Sequence, residues 1–143
     1  AWGWTGLHCT STALWYRKDP STFMRLDLAS RQVRVAARVQ GAELVRSPTW
    51  ALDEATETVY YKPVYDQPTV HKLDTRTGSQ STLQLPAGSD MLLACTGDGK
   101  LVVRADNKVQ LQLWDPAQPQ QAPVVLAGKE GQIGQQPSDS WGQ

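Results

Sequence analysis

The sequence predicts an all-β fold built from three four-stranded antiparallel meanders. Apolar and polar residues alternate with period two, and turn pairs such as Asp106-Asn107 interrupt the alternation about every 8–12 residues. The pattern is clearest over residues 91–126, where four short strands follow one another. The whole four-strand pattern also recurs at intervals of about 40 to 50 residues, which is typical of repeated β units.

Two short markers locate the repeat. The first is a block of three β-forming residues followed by a cation, at residues 14–17, 59–62 and 101–104. The second is an aspartate that ends the third strand of each unit: Asp27, Asp74 and Asp115. Because an aspartate carboxylate can accept hydrogen bonds from backbone N–H groups a few residues further on, we expect these three residues to hold equivalent turns.

The markers define the domain organisation. Residues 1–127 form a single β domain of three units, about 7–45, 46–90 and 91–127. Residues 128–143 are a Gly- and Gln-rich C-terminal tail, either flexible or docked onto the first strand through Trp141. One segment, 33–45, could also form a helix, but valines alternate with arginines there, so a strand is expected up to Gly41.

The third unit carries a resemblance to a known repeat. It has a turn from Thr96 to Lys100, a run of β-formers at 101–103, and a strand from Val109 that ends in Trp114 and Asp115. In this order the unit resembles the blades of the YVTN and WD-like β-propeller families. The resemblance implies propeller-type blades and carries no activity with it.

Three blades are fewer than the four to eight that close a typical propeller ring. Three arrangements follow: a compact packing of the three sheets, a pairing with a second copy, or a fragment of a longer propeller. We expect the compact form, as a monomer.

Composition excludes some classes of partner. Lys plus Arg and Asp plus Glu both number 14, so no basic excess favours nucleic acid. No apolar run has the length of about 18 residues that a membrane helix needs. The chain begins at Ala1, which export and signal cleavage would explain, so a periplasmic or secreted location is expected.

Two cysteines permit one disulfide. Cys9 and Cys95 occupy matching positions in the first and third units, within Leu-His-Cys-Thr and Leu-Ala-Cys-Thr. In a compact three-sheet packing their strands would converge, so we expect a Cys9–Cys95 bridge. Two separate buried thiols are the alternative.

No catalytic or metal-binding constellation is evident. The two histidines, His8 and His71, are far apart in sequence, and His8 and Cys9 would point to opposite faces of a strand. Neither zinc nor calcium spacing occurs, and no phosphate-binding glycine loop is present. We therefore expect no metal, no cofactor and no enzymatic activity.

The remaining signal is a stiff loop over residues 62–68, with prolines at 63 and 68. Tyr65 and Asp66 lie at its tip, and a rigid loop that presents an aromatic side chain loses little entropy on binding. We expect the partner-binding residues to be Lys62, Tyr65, Asp66, Gln67 and Trp50.

The leading hypothesis is a non-catalytic protein-binding module, in the form of an exported inhibitor or immunity-type protein that blocks an enzyme or toxin. The first alternative is a fragment or subunit of a larger β-propeller enzyme. The second is a carbohydrate-binding domain that uses exposed tryptophan, since the chain has six tryptophans and one phenylalanine.

Overall fold

The computed structural model describes residues 7–19, 21–39, 50–63, 67–105 and 110–127. These residues contain strands and turns and no helix, so none of them forms a helix long and apolar enough to cross a membrane. In chain order the strands are β1 His8–Cys9, β2 Ala13–Asp19, β3 Thr22–Asp27, β4 Val33–Arg38, β5 Trp50–Asp53, β6 Thr58–Tyr61, β7 Thr69–Asp74, β8 Gln80–Gln84, β9 Ser89–Cys95, β10 Leu101–Ala105, β11 Leu111–Trp114 and β12 Val124–Ala127.

The strands form three four-stranded antiparallel meanders. The first sheet is β1–β4, the second is β5–β8 and the third is β9–β12, and every hydrogen-bonded neighbour is also the neighbour in sequence. This confirms the predicted fold class. The segment from Val33 to Arg38 is a strand, as expected, whereas residues 40–49 and the tail with Trp141 lie outside the described residues.

The three repeat aspartates hold equivalent turns. Asp27 and Asp74 end β3 and β7, and Asp115 follows β11 directly. The Oδ1 atom of each accepts a hydrogen bond from a nearby backbone N–H: from Ser30 at 2.8 Å, from Arg76 at 2.9 Å and from Ala117 at 2.9 Å. The predicted carboxylate–backbone bond is therefore confirmed at all three places, although the backbone turn closes on the fourth residue after Asp27 and Asp74 and on the third after Asp115.

Each sheet has two faces, which the four-residue blocks define. Because side chains alternate across a strand, the first and third residues of a block lie on one face and the second and fourth on the other. We call the first the front face and the second the back face. The front face carries the pairs Leu14 and Tyr16, Val59 and Tyr61, and Leu101 and Val103. The back face carries the pairs Trp15 and Arg17, Tyr60 and Lys62, and Val102 and Arg104.

Two apolar clusters join the sheets back to front. The first cluster packs Trp15 and Phe23, from the back face of the first sheet, against Val59 and Tyr61 of the second. The second packs Tyr60 and neighbours on the back of the second sheet against the front of the third, with these buried members: Ala51, Tyr60, Val70, Leu85, Leu92, Leu101, Val103 and Trp114. The second sheet is thus buried on both faces, and all residues of β5 and β6 are buried.

The three sheets follow one another as an open series. Among the residues that the structure describes, neither apolar cluster joins the first sheet to the third. The inner strand β5 of the second sheet lies between them, in contact with β9 on one side and with His8 of β1 on the other. This arrangement corresponds to an incomplete propeller, with one sheet between the two end sheets.

The predicted disulfide is not formed, because both cysteines are free thiols. Cys9 and Cys95 do occupy corresponding positions, since Cys9 pairs with Leu14 and Cys95 with Leu101. Their sheets, however, are separated by the second sheet, which holds Leu52 at the corresponding position. The prediction assumed that the inner strands of the first and third sheets converge, and they do not pack into one core.

Candidate functional site

The residues predicted to bind a partner occupy different environments. Trp50 and Lys62 are each only 1% exposed, whereas Gln67 is exposed. Tyr65 and Asp66 lie outside the described residues, so their role stays a prediction. Among the described members of the predicted set, Gln67 is accessible, whereas Trp50 and Lys62 are buried.

Trp50 belongs to the packed interface between the first and second sheets. We call each such interface between two neighbouring sheets a joint. The Nε2 atom of His8 lies 3.0 Å from the Trp50 carbonyl oxygen, and the two ring centroids are 4.2 Å apart. The ring of Phe23 packs edge-on at 5.0 Å. This burial also lowers the pKa of His8. Trp50 is therefore unavailable for stacking on a sugar in this structure.

A chain of ion pairs crosses the same joint at one rim. The Arg25 Nε atom lies 3.2 Å from Glu57 Oε2, and Arg76 Nε lies 3.6 Å from Glu57 Oε1. Arg25 also reaches Asp27 at 3.5 Å and stands 5.7 Å from the centre of the Trp15 ring. The carboxylate of Glu57, in the turn between β5 and β6, thus links the first sheet to the second.

Each closed joint also covers a cation. Arg17 and Lys62, the fourth residues of their blocks, are 3% and 1% exposed. Burial lowers the pKa of Arg17 to about 10, since a guanidinium loses its hydration there. The corresponding residue of the third sheet, Arg104, is only half-buried.

His71 and Cys95, two groups with acid–base or nucleophilic character, lie in these joints, whereas the Cys9 thiol is exposed. His71 Nδ1 lies 3.2 Å from the Tyr61 hydroxyl and 2.9 Å from Gln80 Nε2. Burial raises the pKa of the Cys95 thiol to about 12, and the Asp53 carboxylate adds to that rise, so the thiol is held protonated. No group of three His, Cys, Asp or Glu residues that could hold a metal ion occurs in the described ranges.

The front face of the first sheet is an exposed apolar surface, which we call the front surface. Val33 pairs with Leu26 and Val35 with Met24, so all four lie on this face together with the block residues Leu14 and Tyr16. Val33 and Val35 are 51% and 38% exposed. Periodicity already placed apolar residues here, but the sequence did not indicate which of the sheet faces would remain uncovered.

The back face of the third sheet is a second apolar surface, which we call the back surface. By register it holds Val102 opposite Leu113, Arg104 opposite Leu111, and Val124 opposite Leu113. Val124 is 61% exposed and the others are half-buried. The molecule therefore presents one exposed apolar sheet face at each end of its series of sheets.

The comparisons with known proteins agree with this architecture. No protein-family model matches the sequence, and no curated protein matches it either. Among solved structures, the chain is similar to Hsv2 of Kluyvelomyces marxianus, a yeast β-propeller, with a TM-score of 0.54 and 13% sequence identity. The similarity covers 87% of this chain and 41% of that one.

At this identity the similarity shows the fold alone. The three sheets are accordingly β-propeller-like blades, and the chain spans about two-fifths of the length of the propeller it matches.

Proposed function

We propose that this chain is a protein-binding module of propeller-type blades that binds through its exposed sheet faces, the front surface first of all. The observation that carries the proposal is the exposure of Val33 and Val35 on a sheet face that also holds Leu14, Tyr16 and Leu26. Contiguous apolar surface of this kind is characteristic of protein interaction sites.

The second sheet supports the proposal, because it shows what such a face does when it is covered. Val59 and Tyr61, the counterparts of Leu14 and Tyr16, are 0% exposed and pack against Trp15 and Phe23. Each Å² of apolar surface removed from water stabilises the packed state by about 25 cal/mol. A partner that covers the front surface would gain the same kind of stabilisation.

The proposal also includes two more specific statements, one about the kind of binding protein and one about the type of blade. An exported inhibitor or immunity-type protein would use the loop at residues 62–68, in which Gln67 is exposed. Blades of the YVTN or WD-like type are the finer version of the fold, supported by the third unit from Thr96 to Asp115.

The test is retention of a protein by the immobilised chain, with both an extract of its source and the untagged chain offered as ligands. Val35→Asp places a charge on the front surface, and we expect it to abolish retention. Leu28→Asp is the matched control, because Leu28 is similarly exposed at 44% but lies in the turn after β3. Equal retention by both variants, or none by the unmodified chain, would contradict the proposal.

A further inference from the structure

We infer that the protein which covers these faces is a second copy of the chain, joined head to tail, so that the back surface of each copy packs on the front surface of the other. This inference rests on the proposed function and names its partner. The result is a closed ring of two chains, with two identical joints.

The two exposed surfaces are the two halves of a joint that the chain already makes twice. Within the molecule, a back face always packs on a front face: that of the first sheet on the second, and that of the second on the third. The front surface corresponds to the face of the second sheet that holds Val59 and Tyr61. The back surface corresponds to the face of the first sheet that holds Trp15 and Arg17. A second copy therefore offers each surface the kind of face that covers its counterparts.

The partial exposure of Arg104 indicates that the back surface lacks the sheet that would complete a third joint. On the back faces that form the two closed joints, the cation at the end of the block, Arg17 or Lys62, is almost fully buried. Arg104 ends the third block on the back surface and is half-buried. A front surface placed over Val102 and Leu113 would cover Arg104 in the same way.

The number of blades fits two copies. Propellers typically close with four to eight blades, so two chains of three blades each lie within that range. The similarity to a solved propeller covers 41% of that chain, so it too contains more residues than one copy supplies. A two-fold rotation generates both joints at once and leaves neither apolar surface exposed.

Charge does not oppose this pairing. The chain has 14 basic and 14 acidic residues, so two copies experience no net long-range repulsion. A front-to-front contact would instead leave the back surface, with Val124 at 61% exposure, uncovered in both copies. Only the head-to-tail arrangement uses both surfaces.

The first measurement is the mass of the purified chain by sedimentation equilibrium, from nanomolar to high micromolar concentration. We expect a reversible transition to twice the 15.8 kDa of one chain. A chain that remains at the mass of one copy throughout this range would overturn the inference.

The second measurement distinguishes the geometry by mixing variants. Val35→Asp damages the front surface and Val124→Asp the back surface, so each variant alone has both joints damaged and should dissociate roughly tenfold or more readily. A mixed pair contains one joint with both defects and one intact joint. Mixing should therefore restore association, which also shows that both variants are folded.

Central-strand positions provide an independent pair in the same format. Tyr16→Asp lies on the front surface and Val102→Asp on the back surface, and Leu28→Asp remains the control. Restoration on mixing with either pair supports the head-to-tail ring. Dissociation caused only by front-surface variants would establish a front-to-front dimer and overturn it, and failure of both pairs to weaken association would overturn it as well.

The two proposals fail in different ways. The purified chain could be monomeric and yet retain a protein from the extract that the Val35→Asp variant does not retain. In that case the front surface binds a different protein, and only the second-copy inference is wrong. If Val35→Asp and Leu28→Asp retain protein equally, the proposed function itself is wrong.

Discussion

The second sheet and the first sheet carry the same repeat, yet their front faces lie in very different environments. Val59 and Tyr61 are fully buried between sheets, whereas their counterparts Leu14 and Tyr16 are half-buried at the end of the series. The residue types at these positions are nevertheless similar. The comparison indicates that the first blade carries, at these positions of its front face, the residue types of a blade whose front face is covered.

The largest expected effect is the difference in stability loss between a substitution in a closed joint and a substitution on an exposed face. Trp50→Ala removes a ring that packs on His8 and Phe23, and we expect it to lower the free energy of unfolding by about 3–5 kcal/mol. Val33→Ala, on the front surface, should change it by roughly 0.5 kcal/mol or less in the isolated chain. Urea unfolding of both variants measures the difference, and similar losses would contradict the contrast between the two regions.

The second prediction compares the loop of the second sheet with the exposed face of the first. If Tyr65 anchors a partner, Tyr65→Ala should weaken binding by roughly 1–3 kcal/mol. The measurement is a titration with the captured partner, beside Val35→Asp and with Gln67→Ala as a control in the same loop. An unchanged dissociation constant for Tyr65→Ala would remove the loop from the site and leave the sheet faces.

The third prediction concerns polar links between sheets. Arg25 and Glu57 form a partly buried pair across the first joint, and a double-mutant cycle with Arg25→Met and Glu57→Gln should give a coupling free energy of roughly 1–2 kcal/mol. Asp98 and Lys100 pair within one exposed turn, at 3.6 Å, and serve as the comparison. We expect no measurable coupling for that pair, and a coupling equal to that of Arg25 and Glu57 would be evidence against a special role for the joint.

The smallest effect tests the equivalence of the units. Asp74→Ala removes an acceptor for the Arg76 and Thr77 N–H groups and should cost about 1 kcal/mol of unfolding free energy. Asp115→Ala, in the third sheet, should cost a similar amount, because its carboxylate holds the corresponding turn. Chemical denaturation of both variants decides this, and a several-fold difference would show that the two turns are not energetically equivalent.

The strands and turns could be predicted from the sequence because they depend on local patterns. Alternation and turn residues located the meanders, and the spacing of Asp27, Asp74 and Asp115 located equivalent corners. These features need only the chemistry of a few neighbouring residues.

The joints could not be predicted in the same way. Period-two alternation identifies apolar faces but not the sheet that covers each of them, so Trp50 could be placed on a binding surface when it lies in the core. The disulfide prediction failed for a related reason: matching sequence patterns placed Cys9 and Cys95 correctly within their sheets, but not relative to each other. The ion pair between Arg25 and Glu57 joins residues that are distant in sequence, and no sequence motif predicts it.

The sequential pairing of all twelve strands has a consequence for how the molecule folds. Each sheet closes its hydrogen-bond ladder with short loops, so a single blade can form at low entropic cost before the joints exist. In such linear arrays stability is approximately a sum of terms for each unit and for each contact between neighbours. A chain of three units has two such contacts, and the central unit takes part in both. In the dissociated single chain, native-state amide hydrogen exchange should therefore be slowest in β6 and β7, with the terminal blades opening first.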